Sequence, residues 1–181
     1  MFSDWRAKSG ALKIGLASDH GGFAKKNLIA NFLKEQGYIP VDFGPFALDP
    51  ADDYPDFATP LCVALRDKQL DAGILVCRSG IGMSVIANRF HGLRAALATK
   101  PARAKSSREH NNSNILVTGG DDLTDDELFK IVKTWLSTPF SNDPRHVRRL
   151  TKLECGTYDE IAALRVTDPE ICELSILYFR I

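Results

Sequence analysis

The sequence has no surplus of charge. Its 23 Lys and Arg residues balance 23 Asp and Glu, for a formal net charge of zero at pH 7. A neutral chain has no general electrostatic pull on nucleic acid or on an anionic membrane surface, so neither is expected as a partner. No apolar run reaches the ~20 residues that a membrane-spanning helix needs. The opening MFSDWRAKSGALKIGLASDH lacks the long apolar centre and cleavage site of a secretory signal. Cysteine is scarce: Cys62, Cys77, Cys155 and Cys172, with no CxxC pair. That argues against zinc or thioredoxin chemistry, and 181 residues is not the length of a small disulfide-stapled domain. The expected compartment is a reducing cytoplasm, and no metal or cofactor is expected. Repeats and low-complexity tracts are also missing.

What is present is an alternation of strand and helix signals. Short apolar runs at 12–17, 38–44, 72–77, 93–98 and 114–120 read as strands, with Pro40 arguing that the second lies at a sheet edge. Between them, 22–37, 56–70, 82–90 and 101–111 carry helical spacing, and 45–55 is a loop with three prolines. Thr124 is a candidate N-cap for a helix over 124–137, with an acidic first turn. Residues 142–165 look helical, and the rest of the tail has no clear period. The expected fold is α/β: a Rossmann-like three-layer sandwich around a five-stranded parallel sheet, with a C-terminal helical extension.

Ligands of open parallel sheets bind outside the carboxyl ends of the strands. The first strand here ends in Ser18-Asp19-His20-Gly21-Gly22, the third in Cys77-Arg78-Ser79-Gly80, the fifth in Thr118-Gly119-Gly120-Asp121. Cys77 reads either as a small buried hydrophobe or as a reactive thiol beside a helix start and cations, both of which favour thiolate. Cys62, Cys155 and Cys172 lack such a setting. The turn Ser79-Gly80-Ile81-Gly82 is neither GxGxxG nor a P-loop, yet its successive N–H groups can hold an oxyanion. Asp19-His20 and His110 read as a cap and two surface histidines, or as site residues beside strand ends. Arg145 and Arg149 are four apart, on one helix face: a solvated basic helix start, or a phosphate clamp.

Taken together, KIGLASDHGGFAKK, DYPDFA, GILVCRSGIGMSVIANRFHGLRAAL, SREHNNSNILVTGG and RHVRRL resemble the sugar-phosphate isomerases that include ribose-5-phosphate isomerase B and the subunits of galactose-6-phosphate isomerase. The motifs run in family order over 12–154, leaving 1–11 and 155–181 as N- and C-terminal extensions. The resemblance implies metal-free aldose–ketose isomerisation through a cis-enediol. It also implies a homodimer, or a homotetramer of paired dimers, with active sites at the subunit interface. Cys77 matches the proton-transferring cysteine and His110 the ring-opening histidine. Asp19, His20, Tyr54 and Asn111 match pocket residues, Ser79 to Gly82 the oxyanion turn, and Arg145 and Arg149 the phosphate-binding arginines. A second class, a non-catalytic sugar-phosphate binding protein on the same fold, remains open.

Two positions depart from the family. Where the usual motif is Cys-Gly-Thr-Gly, this chain has Cys77-Arg78-Ser79-Gly80, and Asp121 stands where many relatives have arginine. Serine keeps the threonine hydroxyl, whereas arginine for glycine is expected to add bulk and charge at the pocket floor and to reshape substrate choice. With the third, fourth and fifth strands side by side, two arrangements stay open: Arg78 and Asp121 on opposite walls of one pocket, Asp121 coming from the partner subunit or from the same chain, or Arg78 pointing to solvent with Asp121 capping the next helix.

Overall fold

The computed structural model describes residues 4–121 and 123–154. The expected extension 155–181, with Cys155 and Cys172, lies outside the described residues. Five strands form one parallel sheet: β1 (Lys13–Ser18), β2 (Ile39–Asp42), β3 (Ala72–Cys77), β4 (Ala95–Leu97) and β5 (Ile115–Gly119). Among the described residues one α-helix follows each strand, α1 (Phe23–Glu35), α2 (Tyr54–Arg66), α3 (Ile81–Ala87), α4 (Pro101–Asn111) and α5 (Asp125–Ser137), and α6 (Pro144–Glu154) comes after α5. The chain falls into two units that divide between Phe140 and Ser141, so α6 belongs to the second.

The sheet order is β2-β1-β3-β5-β4. Every residue of β3 and β5 is buried. Such strands are stable only with a hydrogen-bonded neighbour on each side and a helix layer on each face. The three-residue, half-exposed β4 takes one edge instead, so β5 lies between β3 and β4 rather than beyond β4. β2 takes the other edge, as Pro40 requires.

Side chains alternate between the two faces with the period of two that a strand imposes. Ile14, Leu16, Ile74, Val76 and Leu116 pack with Ile29 and Leu33 of α1 and with Leu128, Ile131 and Trp135 of α5. Ala17, Leu75, Cys77, Ile115 and Val117 face Leu61, Cys62 and Leu65 of α2 and Met83 and Ala87 of α3. The expected three-layer arrangement is present. Local signals hold at the helix starts. Thr124 and Glu127 form a reciprocal capping box at α5. α2 begins at Tyr54, earlier than its spacing indicates, because Pro55 fits the first helical turn, where no N–H is needed.

Residues 4–7 are not a loose extension. Asp4 caps a 3-10 turn, Trp5–Ala7, and its carboxylate reaches Arg108 Nη2 at 2.7 Å and the Phe140 N–H at 3.2 Å. Arg108, on α4, is fully buried. It also donates to Asn112 Oδ1 and to the carbonyls of Ser113 and Thr138, and its guanidinium lies 5.0 Å from the Trp5 ring and 6.0 Å from the Trp135 ring. Burial pulls its pKa down to about 10, with Asp4 opposing that shift; it remains a cation at neutral pH. Removing the Asp4 carboxylate strips one charge-assisted bond from a buried cation. Asp4→Ala is expected to lower stability by about 1.5–3 kcal/mol, read as a lower urea midpoint at unchanged m value.

Candidate active site

The carboxyl edge of the sheet is built by three turns that lean on one another. After β1, Asp19 Oδ1 accepts from the Gly22 N–H at 3.1 Å and so caps a 3-10 turn, His20–Gly22. After β3, the backbone reverses at Gly80, whose φ of +78° suits glycine. A Cβ there would also lie 2.5 Å from Leu97 Cδ1 and 3.0 Å from the carbonyl carbon of Thr118. The Gly80 N–H thereby points at Cys77 Sγ, 3.1 Å away. Ser79 Oγ accepts from the Ile81 N–H at 3.3 Å. After β5, the Gly120 N–H donates to the carbonyls of Cys77 (2.8 Å) and Arg78 (2.9 Å), locking the end of β5 onto the cysteine turn. Tyr54 closes one side: its ring lies against Gly82, where a Cβ would come within 2.8 Å of it.

Cys77 is 5% exposed and sits at the carboxyl end of the central strand with an amide on its sulfur. Cys62 differs in every respect. It is fully covered in α2, and burial pushes its thiol up to about 12, so it stays protonated and inert.

Arg78 does not fill the pocket floor. Its stem passes over Gly21, where any Cβ would strike Arg78 Cγ, and its guanidinium side chain is 66% exposed. Asp121 of the same chain faces it, Nη1 to Oδ2, at 3.5 Å. The two departures therefore form one outward-facing pair. An ion pair this long and exposed contributes about 0–1 kcal/mol.

His20 has a partner that sequence reasoning missed. Asp52 Oδ1 accepts from both the His20 backbone N–H (2.9 Å) and Nδ1 (2.6 Å). Nothing in the loop sequence marks Asp52 apart from its acidic neighbours Asp49 and Asp53; the pairing spans 32 residues and exists only in the fold. The root of that loop is held by Lys26, 1% exposed, whose Nζ binds both oxygens of Asp42 at 2.7 Å and the Pro45 carbonyl at 2.8 Å.

His110 and Asn111 are not at this edge. They end α4, which runs back across the sheet, and both are exposed. Just beyond them, the Asn114 carbonyl accepts from the Gly73 N–H at the start of β3. The strand from Gly73 to Cys77 spans roughly 13 Å, so a single chain holds His110 and Cys77 at opposite edges. The strand end that His110 neighbours is an amino end. Arg145 and Arg149 are one turn apart on α6 and exposed. Arg145 is braced by Asp143, which accepts its backbone N–H at 2.9 Å, and by His146, which accepts from its Nε at 3.2 Å. Among the described residues there is no group of three or more His, Cys, Asp and Glu placed to hold a metal ion, and no helix long and apolar enough to cross a membrane.

Comparison with known proteins gives the family. The ribose/galactose isomerase family model matches residues 14–153. Ribose-5-phosphate isomerase B of Mycolicibacterium paratuberculosis is 38% identical over 143 residues, 77% of this chain and 87% of that protein. The structure of the Clostridium thermocellum ribose-5-phosphate isomerase B superposes with a TM-score of 0.77 at 40% identity, covering 86% of this chain and all of that one. The Mycoplasma genitalium ribose-5-phosphate isomerase B, solved with bound ribulose-5-phosphate, superposes with a TM-score of 0.76 at 37% identity, covering 80% of this chain and 95% of that one. A match spanning the whole sheet and its edge turns makes this chain a member of the ribose/galactose isomerase family, a sugar-phosphate isomerase.

Proposed function

We propose that the chain interconverts ribose 5-phosphate and ribulose 5-phosphate, or a related four-to-six-carbon aldose–ketose phosphate pair, through a cis-enediol with Cys77 as the base. The observation that carries this is the placement of the Cys77 sulfur, rigidly set at the carboxyl end of β3 with the Gly80 N–H 3.1 Å away. The relative with ribulose-5-phosphate bound supports the first-named pair.

The chemistry follows from the geometry. The hydrogen on the carbon beside a carbonyl is weakly acidic. Its removal sends an electron pair onto the carbonyl oxygen, so a base and a set of N–H donors must act together. Cys77 takes the proton from one carbon and returns it to the next. The turn Ser79–Gly82 offers its amides to the developing oxyanion. The Ile81 N–H is held only by a 3.3 Å bond to Ser79 Oγ, which a stronger, charged acceptor displaces. Asp19, His20 and Tyr54 border the same edge. Arg78 leans outward instead of blocking it, which favours catalysis over a purely binding role. With Asp121 it presents a neutralised pair at the rim, a place to read sugar length or hydroxyl orientation.

Because His110 and Asn111 lie at the far edge, a site that uses them with Cys77 takes them from a second copy of the chain. Ile81 and Val85, one turn apart on α3 and 59% and 58% exposed, supply an apolar face for such a pairing beside the cysteine turn. We therefore read the working form as a homodimer, or a tetramer of dimers, with shared sites. Arg145 and Arg149 are assigned to the substrate phosphate.

Cys77→Ala is expected to fold normally and to lose isomerisation and solvent exchange of the C2 proton by at least ~10²-fold. Alkylation should inactivate the wild type, with substrate protecting, while Cys62 stays unlabelled. Near-normal turnover by the alanine variant refutes the base. Shared sites predict complementation. Inactive Cys77→Ala and His110→Ala proteins, unfolded and refolded together in equal amounts, should recover about a quarter of wild-type activity, since half the dimers are mixed and each holds one intact site. No recovery would place both residues in one chain's site. Replacing Arg145 or Arg149 by alanine is expected to weaken binding of phosphorylated sugar by about 1.5–3 kcal/mol and to leave the dephosphorylated sugar unaffected. Equal losses for both ligands would mark structural damage.

A further inference from the structure

We infer that Asp52 is a positioning residue. It holds the His20 ring with its proton on Nδ1, so that Nε2 alone is offered to the substrate. The inference rests on the isomerase reading for the identity of that substrate, and on the following geometry for everything else.

One oxygen of Asp52 accepts two bonds from the same residue, the His20 backbone N–H at 2.9 Å and the ring at Nδ1, 2.6 Å away. A backbone bond and a ring bond to one acceptor fix both the position of the residue and the rotation of its side chain. A carboxylate accepts and does not donate, so Nδ1 must carry the hydrogen. In the neutral ring, Nε2 is then a bare acceptor; in the protonated ring, it is the remaining donor. A free imidazole prefers the opposite tautomer, with hydrogen on Nε2, so the carboxylate imposes a choice the ring would not make by itself. Second partners of this kind set which nitrogen of a histidine faces its ligand.

Asp52 is itself well placed to be rigid. Its side chain is 8% exposed, and its second oxygen, Oδ2, is buried with no hydrogen-bond partner. A carboxylate buried in this way costs stability, and the fold retains it where it grips a residue at the carboxyl edge. Two residues on, Tyr54 begins α2 and lies against Gly82 of the cysteine turn. The same short stretch therefore braces His20 from one side and the Cys77 turn from the other.

Two-bond ¹H–¹⁵N correlation spectra distinguish the tautomers without any substrate, and a His20→Asn sample assigns the His20 signals. The wild type is expected to show His20 with hydrogen on Nδ1, and Asp52→Ala to shift it to Nε2. In kinetics, Asp52→Ala should raise KM about tenfold with kcat within about twofold, the signature of binding lost equally from the ground and transition states. In a His20→Ala background the same change should alter KM less than about twofold, because a residue acting through His20 has nothing left to act on. Asp52→Asn keeps the shape and an oxygen acceptor, guards against misfolding of the alanine variant, and should hold KM within about threefold of wild type. Three results overturn the inference: a wild-type His20 with hydrogen on Nε2; an equal KM penalty for Asp52→Ala with and without His20; or a loss in Asp52→Asn as large as in Asp52→Ala with the tautomer unchanged. A wild type inert toward every sugar phosphate would sink the isomerase reading, while the spectra would still decide the Asp52–His20 pair.

Discussion

The arrangement depends on where β3 stops. It is buried along its whole length and pairs with β1 and β5, so its last residue cannot shift without disturbing three strands. The Gly120 N–H bridges the carbonyls of Cys77 and Arg78 and ties the ends of β3 and β5 together. Gly80 then turns the chain in a conformation that places its own N–H on the cysteine sulfur. Position, orientation and hydrogen bonding of the thiol thus follow from sheet register and one positive φ. None of it relies on flexible side chains. The two cysteines of the first unit show how far location governs chemistry: the same thiol inside α2 is kept protonated by burial alone.

A parallel sheet with crossover helices has two unlike edges. Every strand ends at one and every crossover helix ends at the other. A reaction that needs a base from a strand end and an acid from a helix end cannot be assembled within one such layer unless a long loop returns. Among the described residues there is no such loop after α4, which is followed within a few residues by β5. On the proposed reading a second copy supplies the missing edge, and the exposed apolar turn of α3 lies beside the cysteine turn.

Much of this was legible from the residue pattern. The apolar runs locate all five strands, Pro40 marks an edge, Thr124 and Glu127 mark the start of α5, and the cysteine, glycine and histidine motifs locate the edge turns. What the pattern could not carry is pairing between distant positions. Asp52 looks like one of several acids in a proline-rich loop. Arg108 lies in the polar run PARAKSSREHN, where nothing in the spacing marks it for burial, yet it is fully buried and donates four hydrogen bonds. Its partners Asp4, Ser113 and Thr138 come from three separate stretches. Strand order escaped for a similar reason: local spacing shows that β4 and β5 exist, whereas their order follows from which of them can afford an open edge. Local pattern leaves Arg78 between pocket wall and solvent, because its outward course depends on a missing Cβ at Gly21, 57 positions away.

The buried ammonium of Lys26 has a consequence for mobility. It holds Pro45 at one end of the loop, and the bonds from His20 hold Asp52 at the other. Only the span 46–51 is left between anchors, and there Phe46 and Leu48 stand out into solvent. Conformational freedom in a tethered segment grows with the length between its fixed points, so the two clamps confine motion to the loop's outer arc. On the proposed reading, in which His20 borders the substrate, the site's ordering is completed when the chain folds, and little configurational entropy remains to be lost on binding.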